Sequence, residues 1–129
     1  MSKHEVVATV AAPKAIGPYV QAVVHNGMLF ASGCLPLCPE SMKIQGSEIK
    51  DQTTQVLKNV RAVLMAIDAD PSSVLKTTVF LQSMGDFAAF NQVYAEFFGD
   101  TKPARSCVEV ARLPLGALVE IEFIARVSV

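Results

Sequence analysis

The sequence is poor in charged residues. Only 18% of its 129 residues are Asp, Glu, Lys or Arg, whereas 51% are apolar, and the formal net charge is -1. An average domain carries about 25% charged residues. A chain of this size buries about two thirds of its surface on folding, so its core needs no cross-links. We therefore expect one domain over residues 1–129, with part of its surface either apolar and exposed or covered by another subunit.

Several function classes lack their usual sequence signals. The chain has four arginines and no basic run, so the electrostatic footprint of a nucleic-acid-binding protein is absent. Charged residues or prolines interrupt every apolar run before the roughly 18 residues that a membrane helix needs. The first 15 residues contain Glu5 and no arginine, which disfavours a mitochondrial presequence. We expect a cytoplasmic protein, with a mitochondrial location as the alternative.

The cysteines are few and odd in number, namely Cys34, Cys38 and Cys107. This number favours reduced thiols in an intracellular protein over a disulfide framework. A zinc site built from Cys34, Cys38, His4 and His25 would lack a second paired ligand motif, so we expect no metal. A nucleophilic hydrolase is not favoured either, because the chain has no Gly-x-Ser-x-Gly elbow.

Two segments have the apolar period of helices. The first covers residues 48–68 and has Ser47 as its expected N-cap. The second covers residues 87–98, with Asp86 as its cap and Gly99 as its stop signal. Its aromatic residues share one face, which predicts packing on a sheet.

Strand patterns surround these helices. They cover residues 20–25, 28–33, 74–81, 104–111 and 118–127, with a possible edge strand at 5–10. Asn26-Gly27 separates the first two patterns and predicts a tight hairpin. The order of strands and helices predicts an α/β (α+β) sandwich, in which one mixed sheet carries both helices on one face.

One face of this sheet would therefore remain uncovered. The period of two in 118–127 directs Val119, Ile121 and Phe123 toward the helices and Glu120 and Glu122 toward the uncovered face. The same alternation in 104–111 is expected to direct Ser106, Val108 and Val110 toward the helices, and Arg105, Cys107 and Glu109 toward the uncovered face.

Self-association of the uncovered face would reconcile its apolar and charged residues. It would also desolvate Arg105 and Glu120, where a guanidinium and a carboxylate are most useful chemically. Alternatively, Arg105 and Glu120 are cross-strand ion-pair partners without a chemical role. The spacing leaves both interpretations open.

Four segments are more specific than these patterns. They are AIGPYVQA at 15–22, FASG at 30–33 with Pro36, PARSCVEV at 103–110, and Leu113-Pro114 leading to VEIE at 119–122. In this order, across nearly the whole chain, they resemble the RidA/YjgF family of reactive-intermediate deaminases. The run from Pro103 to Leu113 is the most specific part of the resemblance.

The resemblance implies a chorismate-mutase-like fold and a homotrimer with its sheets inside and a ligand cleft at each subunit interface. It also implies an activity, namely hydrolysis of 2-imino acids such as 2-iminobutanoate and 2-iminopropanoate to 2-keto acids and ammonia. Pyridoxal-phosphate-dependent dehydratases acting on threonine or serine release these imines. The deaminase itself would require no cofactor.

The resemblance also points to individual residues. The planar fork of Arg105 can hold the substrate carboxylate through two parallel hydrogen bonds. A partly buried Glu120 suits water activation and proton transfer to the leaving nitrogen. The family's other cleft positions match Tyr19, Ser32, Gly33, Asn91 and Cys107.

The sequence also departs from the family pattern and leaves alternatives. Cys34 follows Gly33 where Gln is usual, and Val20 stands where Ser is frequent, so the preferred imine side chain is open. A non-catalytic trimeric binder or sensor of small carboxylic metabolites would need Arg105 but not Glu120. Members of the family have also been described as endoribonucleases or translation inhibitors, which the charge balance disfavours here.

Overall fold

The computed structural model describes residues 3–127, which form six strands and two α-helices. In chain order these are β1 (Glu5–Val7), β2 (Ala22–His25), β3 (Met28–Cys34), α1 (Ile49–Met65), β4 (Val74–Leu81), α2 (Phe87–Phe98), β5 (Ala104–Glu109) and β6 (Val119–Arg126). Short 3-10 turns precede β4, α2 and β6. The predicted order of elements is confirmed.

The strands form one mixed sheet in the order β1-β2-β3-β6-β4-β5. Neighbouring strands are antiparallel except β4 and β5, which are parallel. The hairpin between β2 and β3 is confirmed, since Asn26 and Gly27 have φ values of 51° and 75°, as a two-residue turn of this kind requires. Helix α2 lies in the crossover that joins the two parallel strands.

The core lies between the helices and one face of the sheet. The predicted apolar face of β6 is confirmed, because Val119, Ile121, Phe123 and Ala125 are at most 2% exposed. They pack in one cluster with the apolar residues of α1 and the aromatic residues of α2. Both helices therefore cover the same face of the sheet, as expected.

The helix ends differ from the prediction in detail. The N-cap position of α1 is Glu48 rather than Ser47, and the cap makes no side-chain hydrogen bond. This helix ends at Met65 because Asp68 takes a left-handed φ of 56° and the Ala69 amide bonds back to the carbonyl of Leu64. Asp86 does occupy the N-cap position of α2, but its side chain does not cap it.

The strand ends also differ, because β1 ends at Val7 and β5 at Glu109. Beyond Val7 the chain leaves the sheet, and the amide of Thr9 bonds to the side chain of Gln21 instead of to a neighbouring strand. Beyond Glu109, the Val110 amide bonds to the carbonyl of Leu81 at the end of the parallel ladder.

The predicted orientation of β5 is wrong. Its parallel register pairs Arg105 with Thr77 and Cys107 with Val79 on β4. Thr77 and Val79 are fully buried on the helix side, so Arg105 and Cys107 also face the helices. Ser106 and Val108 lie on the uncovered face instead. Glu109, which was expected on the uncovered face, lies on the helix side, because it pairs with the buried Leu81. The alternation failed because β5 is an edge strand, where neither face is fully buried and polarity does not mark the core.

The face opposite the helices is exposed and partly apolar. Val6, Phe30 and Val108 on this uncovered face are 56%, 43% and 45% exposed. Glu120 and Glu122 lie among them, opposite Phe80 and Thr78 of β4. A sheet face that exposes large apolar side chains around two glutamates is unusual for a single subunit in water.

Candidate active site

The carboxylate of Glu120 lies directly against the backbone of Gly33. A Cβ atom at Gly33 would stand 2.7 Å from the Glu120 carboxyl carbon, closer than real side-chain contacts. This contact occurs where β3 shifts register against β6, between Ala31 and Cys34. The absence of a side chain at Gly33 therefore makes the space that Glu120 occupies.

Glu120 is half-buried and holds its proton more tightly than an ordinary Glu. Loss of solvent is the larger cause that raises its pKa, and the like charge of Glu122 on the same face raises the pKa further. A carboxyl group with a raised pKa can both accept and return a proton nearer neutral pH.

Tyr19 and Ser32 line one pocket with Gly33 and Cys34. The Ser32 hydroxyl donates to the carbonyl of Val20 at 2.6 Å, so its hydrogen is already used and its oxygen can only accept. The Tyr19 hydroxyl accepts from the Ile16 amide at 3.3 Å, which leaves its hydrogen available for a ligand. The Tyr19 ring is 47% exposed.

Gln21 holds the segment that closes this pocket, a role that the sequence analysis missed. Its Oε1 accepts from the amide of Thr9 at 2.7 Å, and its Nε2 donates to the carbonyls of Pro13, Thr9 and Ala12 at 2.8, 3.0 and 3.3 Å. The only sequence signal was an amide residue within an apolar strand pattern. Its partners are backbone atoms eight to twelve residues away, which no pattern reveals.

Cys34, which departs from the family pattern, is an inert neighbour of Glu120. Burial raises the pKa of its thiol to about 12, and the Glu120 carboxylate adds to the shift. The side chain packs against the hydrophobic core. Cys34 therefore shapes the wall of the pocket as a small neutral group.

Arg105 lies on the helix side of the sheet against α2. Its Nη1 donates to Asn91 Oδ1 at 2.7 Å. Its guanidinium carbon is 4.9 Å from the ring centre of Tyr94, 5.5 Å from that of Phe87 and 5.9 Å from that of Phe90. This bond explains the amide at the edge of an aromatic helix face, because a half-buried amide needs a partner.

Cys107 lies two residues beyond Arg105 on the same side. Burial raises the pKa of its thiol, and the positive charge of Arg105 opposes part of this rise. The side chain packs against the core, so the thiol remains protonated and unreactive at neutral pH.

The site residues thus form two separate clusters. We name them the glutamate cluster and the arginine cluster. The glutamate cluster comprises Glu120 and Gly33, which are in contact, with Tyr19 and Ser32, which line the pocket beside Gly33. The arginine cluster comprises Asn91, Arg105 and Cys107 with the aromatic rings of α2.

Within one chain, Arg105 and Glu120 do not meet. Glu120 pairs with Phe80, which pairs with Val108, three residues beyond Arg105. Strand spacing and rise then put the Cα atoms of Arg105 and Glu120 about 14 Å apart. Their side chains leave opposite faces of the sheet, so the interpretation of these residues as a cross-strand ion pair is wrong.

Residues 3–127 offer neither a metal site nor a membrane span. No three His, Cys, Asp or Glu side chains there come close enough to hold a metal ion. No helix in that part of the chain is long and apolar enough to cross a membrane.

Comparison with known proteins identifies the family. A RutC family protein of Pyrococcus horikoshii is 51% identical over 121 residues, which cover 94% of this chain and 96% of the relative. Reactive Intermediate Deaminase A, chloroplastic, of Arabidopsis thaliana is 50% identical over 123 residues, which cover 95% of this chain and 66% of the relative.

A solved structure agrees with these relatives. Escherichia coli TdcF with bound serine superimposes with a TM-score of 0.91 at 42% identity, covering 96% of this chain and 99% of that chain. The family model described as Endoribonuclease L-PSP matches residues 9–127. The chain belongs to this family, the RidA/YjgF family.

Proposed function

We propose that this protein is a reactive-intermediate deaminase that hydrolyses 2-imino acids, such as 2-iminobutanoate and 2-iminopropanoate, to 2-keto acids and ammonia. The observation that carries the proposal is the half-buried Glu120, whose pKa is raised and whose carboxylate is seated on Gly33. The Arabidopsis relative is named for this class of activity. The serine bound to TdcF carries a carboxylate and a nitrogen on the same carbon, as a 2-imino acid does.

The proposed active cleft forms between two copies of the chain in a homotrimer with its sheets inside. A small imino acid cannot contact both Arg105 and Glu120 of one chain, because their Cα atoms are about 14 Å apart and their side chains leave opposite faces of the sheet. Association of the uncovered faces would bury Val6, Phe30 and Val108 and bring a glutamate cluster to the arginine cluster of a neighbour.

In this cleft, Arg105 binds the substrate carboxylate. Its guanidinium offers parallel N–H donors that match the two carboxylate oxygens, which a lysine could not reproduce. Binding by this fork fixes the imine carbon relative to Glu120 and to a water molecule. The position of the reacting atoms supplies much of the rate enhancement, because the imine is already electrophilic.

Glu120 moves the protons of the hydrolysis. Its carboxylate takes a proton from water as the water oxygen forms a bond to the imine carbon, and Glu120 passes that proton to the imine nitrogen, which gives a carbinolamine. Glu120 then takes the proton of the carbinolamine hydroxyl as the carbonyl forms. It gives this proton to the nitrogen as the carbon–nitrogen bond breaks, and the nitrogen leaves as ammonia. No oxidation state changes, so the reaction balances without a redox cofactor.

The test adds this protein to a threonine dehydratase reaction containing semicarbazide, which traps the imine. We expect faster release of keto acid and less trapped imine. Loss of the effect in Arg105→Ala is expected, since hydrogen bonds to charged groups contribute about 1.5 to 3 kcal/mol. If the wild-type protein changes neither rate, it is not a deaminase of these imines.

Glu120→Gln separates catalysis from binding. It keeps the size of the side chain and removes the group that moves protons. We expect this variant to bind 2-oxobutanoate, the keto acid product, without hydrolysing imine. Unchanged hydrolysis by Glu120→Gln would contradict the role of Glu120. Binding by a wild-type protein that shows no hydrolysis would instead support a sensor of carboxylic metabolites.

A further inference from the structure

Tyr94 contacts Arg105 but is itself closed to solvent. Its ring centre is 4.9 Å from the Arg105 guanidinium carbon, and the side chain is only 7% exposed. Its hydroxyl is 2.7 Å from that of Thr77, the residue beside Arg105 in the parallel ladder. Tyr94 also stacks against Phe90 and Phe98, with ring centres 5.3 and 4.7 Å away. The ring therefore has a fixed orientation.

Arg105 has one side-chain hydrogen bond within residues 3–127, from Nη1 to Asn91. The guanidinium carries five N–H donors in one plane. Because Nη1 bonds to Asn91, Nε and Nη2 form the parallel pair of donors that has no side-chain partner within residues 3–127. The two oxygens of a carboxylate can accept one hydrogen bond each from such a pair.

We propose that Tyr94 is a positioning residue, which fixes the guanidinium plane of Arg105 so that the substrate carboxylate binds the Nε and Nη2 edge while Asn91 occupies Nη1. This inference rests on the proposed function, because it identifies how that site takes its substrate. Tyr94 acts through Arg105 alone, since its hydroxyl is bonded to Thr77 and its ring is buried.

Positioning matters here because Arg105 is on an edge strand. A long side chain at a sheet edge samples many rotamers, and binding must remove that freedom. A guanidinium held on an aromatic ring loses little further freedom when a carboxylate arrives. Removing the ring should therefore weaken substrate binding and leave the chemical step at Glu120 intact.

The first experiment observes the arginine side chains directly by NMR of the Nε–Hε groups. The chain has only Arg61, Arg105, Arg112 and Arg126, so four signals are expected, and Arg105→Lys identifies the one of interest. On titration with 2-oxobutanoate, the Arg105 Hε signal should move downfield and saturate. An Hε signal that stays in place while the ligand binds would show end-on binding and overturn the proposal.

The same spectra test the positioning without any variant. In the free wild-type protein, the Arg105 Nε–Hε group should show a clearly higher heteronuclear NOE than that of the exposed Arg112. Equal mobility of the two groups would refute a fixed guanidinium. This comparison needs no activity, so it decides the inference even if the wild-type protein proves not to hydrolyse imines.

A matched pair of variants tests Tyr94 itself. Tyr94→Leu removes the ring that contacts Arg105. Phe97→Leu removes another ring of α2, whose centre is 4.8 Å from the guanidinium carbon of Arg61 on α1. Tyr94→Leu should free the Arg105 signal and raise KM about threefold to tenfold with kcat unchanged. Phe97→Leu should alter the Arg61 signal alone. Tyr94→Phe, which keeps the ring, should restore most of the lost affinity.

Other outcomes overturn the assignment. A folded Tyr94→Leu variant with wild-type KM, or one that loses kcat and not KM, would contradict a positioning role. The same holds if Phe97→Leu raises KM equally, because the effect would then be a general loss of helix packing. If Tyr94→Leu does not fold, the wild-type comparison of Arg105 with Arg112 still decides.

Discussion

Replacing Gly33 by Ala should move the Glu120 carboxylate and leave the fold intact. Gly33 does not have a left-handed φ, so its backbone accepts an alanine. The new Cβ would stand 2.7 Å from the Glu120 carboxyl carbon, where ordinary contacts begin at 3.4 Å. The carboxyl group must therefore shift by at least about 0.7 Å. Misplacement of a reacting group by about 1 Å can cost a hundredfold in rate.

We expect kcat of Gly33→Ala to fall about tenfold to a hundredfold. Stability should change by less than about 1 kcal/mol, because the atoms that yield are the end of one half-buried side chain. Keto acid release in the coupled dehydratase reaction measures the first effect, and urea unfolding measures the second. Gly85→Ala is the matched control, since its Cβ would meet only the hydroxyl of Ser83 at 3.2 Å.

A folded Gly33→Ala protein with wild-type kcat would refute the reasoning. It would mean that the reaction does not depend on where Gly33 seats the carboxylate. Equal losses of activity in Gly33→Ala and Gly85→Ala would point to a general effect of added side chains. A large loss of stability in Gly33→Ala alone would show that Glu120 cannot yield.

Three further predictions concern the glutamate cluster. Glu122→Gln should shift the acid limb of the kcat/KM profile to lower pH, because the like charge that helps to raise the pKa of Glu120 is gone; an unmoved limb would assign it to another group. Glu120→Gln should raise the melting temperature near neutral pH and not in acid. The folded chain binds the Glu120 proton more tightly than the unfolded chain, so ionisation costs stability as pH rises from about 4 through the raised pKa. Gln21→Ala should destabilise the fold by about 2 to 3 kcal/mol in urea unfolding and increase proteolysis within residues 9–16, since it frees backbone groups of that segment; unchanged cleavage would refute the clamp.

The central strand β6 could be predicted from the sequence and the edge strand β5 could not. One face of β6 is buried under both helices, so burial alone imposes strict alternation on Val119, Ile121 and Phe123. On β5, the charged Arg105 faces the helices, where it packs on the Tyr94 ring and bonds to the Asn91 amide, whereas the apolar Val108 is exposed. Which way an edge strand faces depends on its register with β4, and the sequence of β5 does not contain that register.

The sequence proposed members for the candidate site, and it did not reveal their arrangement. The resemblance supplied Arg105 and Glu120, and the alternation predicted that both side chains lie on one face of the sheet. Their separation depends on the parallel pairing of β5 and on the contact of Glu120 with Gly33, both of which join residues distant along the chain. Tyr94 was interpreted correctly as part of a buried stripe, but its contact with Arg105 appears only in three dimensions.

The location of Arg105 and Glu120 on opposite faces of one sheet has a genetic consequence. In the proposed trimer, a chain without Arg105 still supplies an intact glutamate cluster, and a chain without Glu120 still supplies an intact arginine cluster. Two inactive alleles of this kind can therefore complement each other. Random assembly from equal amounts of the two chains gives three quarters mixed trimers with one intact cleft each, or about a quarter of all clefts.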